Sequence, residues 1–259
     1  MVLDIVLLVV LPTVLAVVAA IVLGRRRAAR GGESDSDSVS FVGGVIGALF
    51  TVVLAFYVVF AWQLGSDIDT DATTESNAIV DAWYQTDQMP EPVGTQAREL
   101  LSGYARGVVD QEWPELATGT PGSAVSASDV MLRSLRTTFA ALPADDDVMQ
   151  STRDNALADI REIDESHRSR VDRSTDPDVF NTVLLAATLV GGALMVAYPL
   201  VIGLSPRPAN VAAVGLLTFT VAATAYISLE LAHPLSGPFA VEPDPFADAI
   251  AVMSPAPRS

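Results

Sequence analysis

The chain has 259 residues, half of them hydrophobic, and its mean hydropathy is +0.39. It also holds 31 acidic residues against 15 basic ones, for a formal charge of −16. Nucleic acid is not expected as a partner, because all 15 basic residues are Arg and acids outnumber them two to one. The absence of Cys excludes disulfides, thiolate nucleophiles and Cys-based metal sites, and two histidines leave little for His-based chemistry.

Four long apolar runs predict an all-α integral membrane protein with four transmembrane helices. The runs cover residues 1–23, 41–64, 179–204 and 211–231. Each is about as long as the roughly 20 residues that a helix needs to cross a bilayer. The first run is interpreted as a retained anchor rather than a signal peptide, because its four Arg residues follow it.

The acidity is concentrated in the predicted extramembrane domain, residues 65–178, which holds 23 acidic residues and nine Arg for a charge of −14. A basic and polar loop (24–40), a short loop (205–210) and a Pro-rich tail (232–259) connect or follow the spans. Because Arg residues lie in both short loops, those loops are expected in the cytoplasm, which places the acidic domain outside the cell membrane. Four Arg residues close to the third span favour the opposite orientation: Arg161, Arg168, Arg170 and Arg173.

The acidic domain is predicted to be helical, because its apolar residues recur at helical spacing and no strand-like alternation persists. A first helix continues out of the second span and a second follows Pro90 and Pro92. Ser128 is expected to cap a third helix, and Asp145 to Asp147 lie where a fourth would begin. The apolar positions of these helices are Ala78, Ile79, Ala82, Trp83; Leu100, Leu101, Tyr104, Val108; Met131, Leu135, Phe139, Leu142; and Met149, Thr152, Ala156, Ile160, Ile163.

Candidate chemical sites are few. Asp67, Asp69 and Asp71 begin like a calcium loop, but the positions that need Gly and Glu hold Ala72 and Ala78. A solvated acidic helix face is the preferred interpretation, with a weak divalent site as the alternative. His167 is expected at the surface, and no catalytic motif is present, so the chain is predicted to be a non-enzyme without catalytic, cofactor or metal residues.

Small and hydroxylated residues mark the spans. Gly43, Gly47 and Gly191 predict close helix packing, either within one bundle or between copies in a homo-oligomer. The fourth span carries a row of polar residues that predicts either a pore-lining or a packing seam, and most hydroxyls of this kind bond the backbone or a neighbouring helix. Its members are Thr220, Thr224, Ser228 and Glu230.

Several short motifs resemble those of a bacterial membrane protein family labelled bestrophin-like. Glu75 precedes Trp83 and Tyr84, and a Glu112-Trp113-Pro114 element follows Tyr104. After the fourth span comes a turn with Pro234, Ser236 and Gly237, and then Pro245-Phe246. The resemblance spans roughly residues 41–246, although Ala232 and Leu235 stand where the family pattern has an aspartate and an aromatic residue. It implies four spans, a helical segment between the second and third, and an analogy to pentameric anion channels whose helical region is cytoplasmic.

Two functions follow as hypotheses. The first is an oligomeric ion channel or channel-like protein with the lipid bilayer, other copies and ions as partners. The second is a non-transporting membrane sensor or interaction protein that uses its acidic helical domain. The strong negative charge conflicts with an anion pathway unless the Arg161 to Arg173 group faces the pore.

Overall fold

The computed structural model describes residues 11–28, 36–119, 122–143, 145–175, 179–202 and 207–254. Helices joined by turns make up these residues, with no strand among them, which confirms the all-α fold class. Three of the described helices are long and apolar enough to cross a membrane, within Ser40–Gln88, Asp147–Ile202 and Pro208–Leu231. The first predicted span is described only from residue 11 onward, and its shorter apolar stretch is Leu11–Leu23. A count of four spans therefore stays a prediction.

The helices run in chain order as follows. They are α1 (Leu11–Ala28), α2 (Ser36–Gln85), α3 (Val93–Gly107), α4 (Trp113–Ala117), α5 (Ser123–Ala140), α6 (Asp147–Thr175), α7 (Val179–Ile202), α8 (Pro208–Leu231) and α9 (Asp244–Met253). A short 3-10 helix (Thr86–Gln88) follows α2, and a π-helical turn (Val108–Glu112) joins α3 to α4.

The chain divides into two compact units. Residues 1–62 and 178–232 form the apolar unit, and residues 63–177 and 233–259 form the acidic unit. The acidic unit holds 25 of the 31 acidic residues and ten of the 15 Arg, hence a formal charge of −15. It includes the segment that the sequence marked only as a Pro-rich tail, because α9 buries Phe246, Ala249 and Met253 in its core.

Small residues set the close approach of helices in the apolar unit. A Cβ atom on Gly43 of α2 would lie 2.9 Å from the Tyr198 ring of α7, and one on Gly191 would lie 3.1 Å from Phe50. Gly47 faces Met195 at a looser 3.6 Å. In lipid, where burial of apolar surface gives little driving force, such contacts supply the packing energy. These glycines therefore pack helices of one chain against each other.

In the acidic unit, prolines and polar caps delimit the helices. At the end of α2, the Thr86 hydroxyl donates a hydrogen bond to the Trp83 carbonyl at 2.6 Å. The prediction that Ser128 begins a helix is wrong, since α5 begins at Ser123, where the Glu115 carboxylate accepts the Ala124 N–H at 2.8 Å. Asp146 accepts the Met149 N–H at 2.7 Å in the first turn of α6.

The adjacent glycines 43 and 44 allow a matched test of packing in the apolar unit. We expect Gly43→Leu to lower the melting temperature of the detergent-solubilised full chain, because the added side chain meets the Tyr198 ring. A Cβ atom on Gly44 would have nothing within 4 Å, so Gly44→Leu is the control and should melt like the parent. Equal melting temperatures for the two variants would contradict this packing.

Candidate functional site

Five polar side chains meet in the core of the acidic unit. They form the buried charge cluster, whose members are Glu75, Tyr104, Glu112, His167 and Arg170. None is more than 1% exposed, although ionised side chains are almost never fully buried unless they are paired. The cluster is therefore the strongest candidate site in the described part of the chain.

Helical periodicity places two of the members in the core. Glu75 follows Ile68 and Ala72 and precedes Ile79 on α2, at steps of three and four residues, so it lies on the buried face of that helix. Tyr104 lies one turn from the buried Leu101 on α3. Both side chains therefore occupy positions where an apolar residue is normally found.

The π-helical turn brings Glu112 and Trp113 inward. The Trp113 N–H donates to the Val108 carbonyl, five residues back rather than four. Pro114 follows at once, and since proline has no N–H it cannot continue the α-helical hydrogen-bond pattern. The extra residue in the turn rotates the helix so that both neighbouring side chains face the core. Such π-turns are frequent at functional sites.

Helix α6 contributes His167 and Arg170. Ile160, Ile163, His167 and Arg170 follow one another at steps of three, four and three residues, and all are buried. The same face thus changes from apolar to charged along the helix. The prediction that His167 lies at the surface is wrong for this reason.

The Arg170 guanidinium joins two carboxylates. Its Nε donates to Glu75 Oε2 at 2.9 Å and its Nη2 donates to Glu75 Oε1 at 3.2 Å and to Glu112 Oε1 at 2.6 Å. These charge-assisted bonds connect residues that are 95 and 58 positions apart in the sequence. A single side chain therefore ties α6 to α2 and to the π-helical turn.

Tyr104 and His167 complete the coordination of the carboxylates. The Tyr104 hydroxyl donates to Glu75 Oε1 at 2.6 Å, and His167 Nε2 lies 3.1 Å from Glu112 Oε2. The two rings meet edge to face, with centroids 6.1 Å apart. Every carboxylate oxygen of the cluster thus has a hydrogen-bonding partner, as burial of an anion requires.

Aromatic rings enclose the remaining face of Arg170. Its Cζ atom lies 5.2 Å from the centre of the Trp113 ring and 5.3 Å from that of Phe246. The Trp113 indole N–H donates to the Val241 carbonyl at 3.2 Å, which holds the ring in place. Arg170 Nη1 has no hydrogen-bond acceptor among the described residues. Cation–π attraction to the two rings is therefore a further stabilisation of the guanidinium.

The ionisation states follow from these contacts. Burial by itself would raise the pKa of the Glu112 carboxyl, but the hydrogen bond from His167 and the charge of Arg170 outweigh it and lower that pKa to about 2. Burial would lower the pKa of the Arg170 guanidinium, yet the two carboxylates raise it. Burial, with the nearby carboxylates, raises the pKa of Tyr104 well above 10. At neutral pH Glu112 and Arg170 are charged and the tyrosine keeps its proton.

The acidic stretch of α2 that begins like a calcium loop, interpreted above as a solvated helix face, makes ion pairs with α6. Arg173 donates to Asp67 Oδ2 at 2.7 Å and lies 3.0 Å from Asp71 Oδ2, which also accepts the Ser169 hydroxyl at 2.8 Å. Among the described residues, no group of three or more His, Asp or Glu is placed to hold a metal ion. Asp67 and Asp71 therefore tie α2 to α6, whereas Asp69 is exposed.

Comparison with known families decides the wider relationship. The family model for the bestrophin-like domain matches residues 10–246, more than nine-tenths of the chain. The chain belongs to the bestrophin-like family. No curated protein matches it, and no solved structure does.

Several motif residues of this bestrophin-like protein belong to the buried charge cluster or support a residue that contacts it. Glu75 belongs to the cluster, and the Trp113 ring contacts Arg170. Pro114 lies in the first turn of α4. Pro234 accepts the Val241 N–H at 2.8 Å, which positions the carbonyl that holds Trp113. Gly237 has a φ of +87°, a conformation that side chains with a Cβ rarely adopt.

Two further positions belong to the same turn. The Ser236 N–H donates to the His233 carbonyl at 3.1 Å. Leu235, which stands where the family pattern has an aromatic residue, is only 7% exposed and lies in the apolar core. The turn thus contributes one apolar side chain to the core of the acidic unit and positions the carbonyl that accepts from Trp113.

The polar row of α8 does not form one uniform seam. Thr220 is exposed and bonds the Leu216 carbonyl of its own helix at 3.0 Å, whereas Thr224 and Glu230 are partly buried. Ser228 is 1% exposed, and its carbonyl accepts the Tyr57 hydroxyl at 2.5 Å. Its position is thus one where α2 and α8 meet.

The sequence motifs include Glu75, Tyr104 and Glu112 of the cluster. They do not predict that these residues contact His167 and Arg170. The available signal was the helical step pattern, since the two residues continue the buried face of Ile160 and Ile163. Polar residues at core-facing positions of an amphipathic helix are candidates for a buried network. The pairing itself depends on which helices meet, and no local pattern encodes that.

Removal of the Arg170 charge should destabilise the acidic unit strongly. We expect Arg170→Met to reduce the free energy of unfolding by about 3–5 kcal/mol, because Glu75 and Glu112 would remain buried without a cation. The control is Arg168→Met on the same helix, whose side chain is 66% exposed and pairs with Asp164 at 2.9 Å. That loss should stay below about 1 kcal/mol. Denaturant unfolding of the full chain in detergent measures both, and equal losses would refute the buried pairing.

Asp159 should make stability fall with rising pH. Burial, with the charges of Asp81 and Glu162, raises the pKa of Asp159 to about 6 from its ordinary 3.8. The folded state therefore disfavours its charge, and that stability is complete below pH 3.8 and lost as the pH rises through 6. We expect Asp159→Asn to raise the melting temperature at pH 8 by roughly 2–4 °C, the equivalent of about 1 kcal/mol after allowance for partial exposure.

The same substitution should have a smaller effect at pH 5, where the parent side chain already holds a proton in most molecules. Asp154→Asn is the control, since that side chain on the same helix is 58% exposed and pairs with the adjacent Arg153. It should change the melting temperature little at either pH. A destabilised Asp159→Asn protein at pH 8 would contradict the prediction.

Proposed function

We propose that this bestrophin-like protein is a multi-pass cell-membrane protein that forms a channel-like homo-oligomer, with the ion pathway between copies rather than inside one. The observation that carries the proposal is the interior of the apolar unit. Its helix contacts are made by glycines against Tyr198, Met195 and Phe50, and its cavity of about 380 Å³ has a mainly apolar lining. Ions need a polar path, so such a path would require more than one chain.

The outer surface of α2 supports assembly in a bilayer. Large apolar side chains are exposed along it at steps of three and four residues, which makes one continuous stripe. Its members are Phe41, Val45, Leu49, Val52 and Phe56. In a membrane this stripe contacts lipid tails or the same helix of another copy.

Charge favours cations over anions as the permeant species. The acidic unit carries −15, and such a surface concentrates cations and repels anions. Three of the four Arg residues near α7 are engaged by acids, since Arg170 is enclosed by carboxylates and Arg173 and Arg168 pair with aspartates. The proposal thus departs from the anion-channel analogy in the sign of the ion.

We further propose that the acidic unit faces outward, as the Arg residues of the short loops indicate. A reporter inserted after Gly119, between α4 and α5, tests the orientation in cells. A protease-accessible reporter outside the cell supports the proposal, and a reporter accessible only after lysis overturns the orientation while leaving the transport assignment open to its own test.

The transport assignment is tested on the purified full chain. Mass measurement in detergent gives the number of copies, and recordings from planar bilayers under a KCl gradient give the sign of the permeant ion. We expect an oligomer and a reversal potential near that of K⁺, with protein-free bilayers as the control. A reversal potential near that of Cl⁻ overturns the cation assignment, and a monomer without current overturns the channel itself.

The second candidate function is a non-transporting sensor or interaction protein that uses the acidic unit. The buried charge cluster favours it, because such a cluster changes its charge balance when one member gains or loses a proton. A monomer without ion current would support this candidate over the channel. In neither case is a catalytic role proposed.

A further inference from the structure

The charges of the buried cluster do not balance without an additional proton. Glu75 and Glu112 are two carboxylates, whereas Arg170 supplies a single fixed positive charge. Tyr104 donates to Glu75 and keeps its own proton. With a neutral imidazole at His167 the enclosed charge would be −1, and an uncompensated buried charge is strongly unfavourable. A protonated imidazole brings the enclosed charge to zero.

The geometry around His167 suits the protonated form. Its Nε2 lies 3.1 Å from Glu112 Oε2, and its Nδ1 lies 3.9 Å from Asp129 Oδ1 on α5. A neutral imidazole carries a hydrogen on one nitrogen only, whereas an imidazolium carries one on each and presents both to acids. Nδ1 is buried and makes no hydrogen bond among the described residues. It faces Asp129 and can carry the additional proton.

The proton has a short route to solvent. The Asp129 side chain is 47% exposed and lines an open cleft of about 230 Å³ between α5 and α6. Arg133, Arg136 and Arg168 line the same cleft, and Arg136 and Arg168 pair there with Asp164. Asp129 thus contacts both this cleft and the buried imidazole.

We propose that His167 is a buried proton-binding site, and that its bound proton holds helix α5 to the charge cluster through Asp129 and Glu112. The inference concerns the acidic unit alone and does not rest on the transport function proposed above. Each neighbouring element presents a group to the imidazole, and together these groups set its proton affinity. They are Glu75 from α2, Tyr104 from α3, Glu112 from the π-helical turn, Asp129 from α5 and Arg170 from α6 itself.

The direction of the pH effect follows from these neighbours. Burial and the charge of Arg170 lower the pKa of His167, but the hydrogen bond to Glu112 and the charges of Glu75 and Glu112 outweigh them and raise it above 6.5. A raised pKa of a base means that the folded state binds the proton more tightly than the unfolded state. The stabilisation is therefore complete below about pH 6.5 and is lost as the pH rises through the folded-state pKa. Above that pH the neutral imidazole keeps one N–H, and with Nε2–H retained against Glu112 it is Nδ1–H that is lost, so that α5 loses its ionic contact through Asp129.

The chain permits a direct measurement, because it contains only two histidines, His167 and His233. In a His233→Gln variant of the full chain, isotope-labelled histidine gives a single imidazole signal in the NMR spectrum. We expect this signal to titrate with a midpoint above the ordinary 6.5. A midpoint at or below 6.5 overturns the proposal, and the measurement leaves the cluster itself intact.

A charge variant separates proton binding from packing. Glu112→Gln, made in the His233→Gln background, keeps the size of the side chain but balances Arg170 against Glu75 without a proton. We expect the upward shift of the His167 midpoint to be lost in this variant, and Asp129→Asn to lower the midpoint by a smaller amount. Glu165→Gln, at an exposed position on the same helix, is the control and should leave the midpoint unchanged. An unchanged midpoint in Glu112→Gln overturns the charge-balance argument.

Amide hydrogen exchange reports the structural consequence. After correction for the intrinsic pH dependence of exchange, residues 123–140 should lose protection when the pH is raised through the His167 midpoint. The first turns of α6 should keep theirs, since they do not contact the imidazole. Constant protection of residues 123–140 across the midpoint overturns the link to α5, even if His167 binds a proton.

Discussion

The enclosure of the Arg170 guanidinium by two carboxylates is the constraint on which the acidic unit depends. Glu75, Glu112 and Arg170 come from α2, the π-helical turn and α6, and the ion pairs between them are 2.9 Å and 2.6 Å long. Buried ion pairs often add little net stability compared with an apolar core of the same size, because desolvation of the charges offsets their attraction. Their effect is on specificity, since any arrangement of these helices that separates the three groups leaves a bare charge in the interior.

Other features of the unit follow from this constraint. Pro114 and the π-helical turn aim Glu112 and Trp113 inward, and the turn at residues 233–241 provides the carbonyl that fixes the Trp113 ring. Phe246 of α9 closes the other side of the guanidinium. Glu75, Glu112 and Trp113, which resemble a family motif along the sequence, are thus neighbours in space and together enclose one cation. Because the cluster holds two carboxylates and one guanidinium, a proton on His167 balances its charge.

The apolar unit is organised by a different interaction. Its helices approach where glycines face Tyr198 and Phe50, and a tyrosine hydroxyl bonded to the Ser228 carbonyl joins α2 to α8. Among the described residues of this unit, no charged side chain is fully buried, in keeping with a lipid environment in which an unpaired charge is costly. The strong negative charge of the chain therefore belongs to the unit whose largely apolar core holds the buried charge cluster, and the surface of that unit determines which ions it attracts.

The sequence alone shows the helical class, three candidate spans, the concentration of acid in one segment and the family pattern. Those properties depend on the local length, period and composition of each segment, which are legible without knowledge of the fold. Helical periodicity also predicts the buried face of α6 as far as Ile163. Four other features appear only in the folded chain. They are the burial of His167, the partners of Arg170, the ion pairs of Arg173 with Asp67 and Asp71, and the packing of α9. Each of them joins residues about 40 to 130 positions apart, and helical periodicity shows which face of a helix is buried but not which side chain it meets.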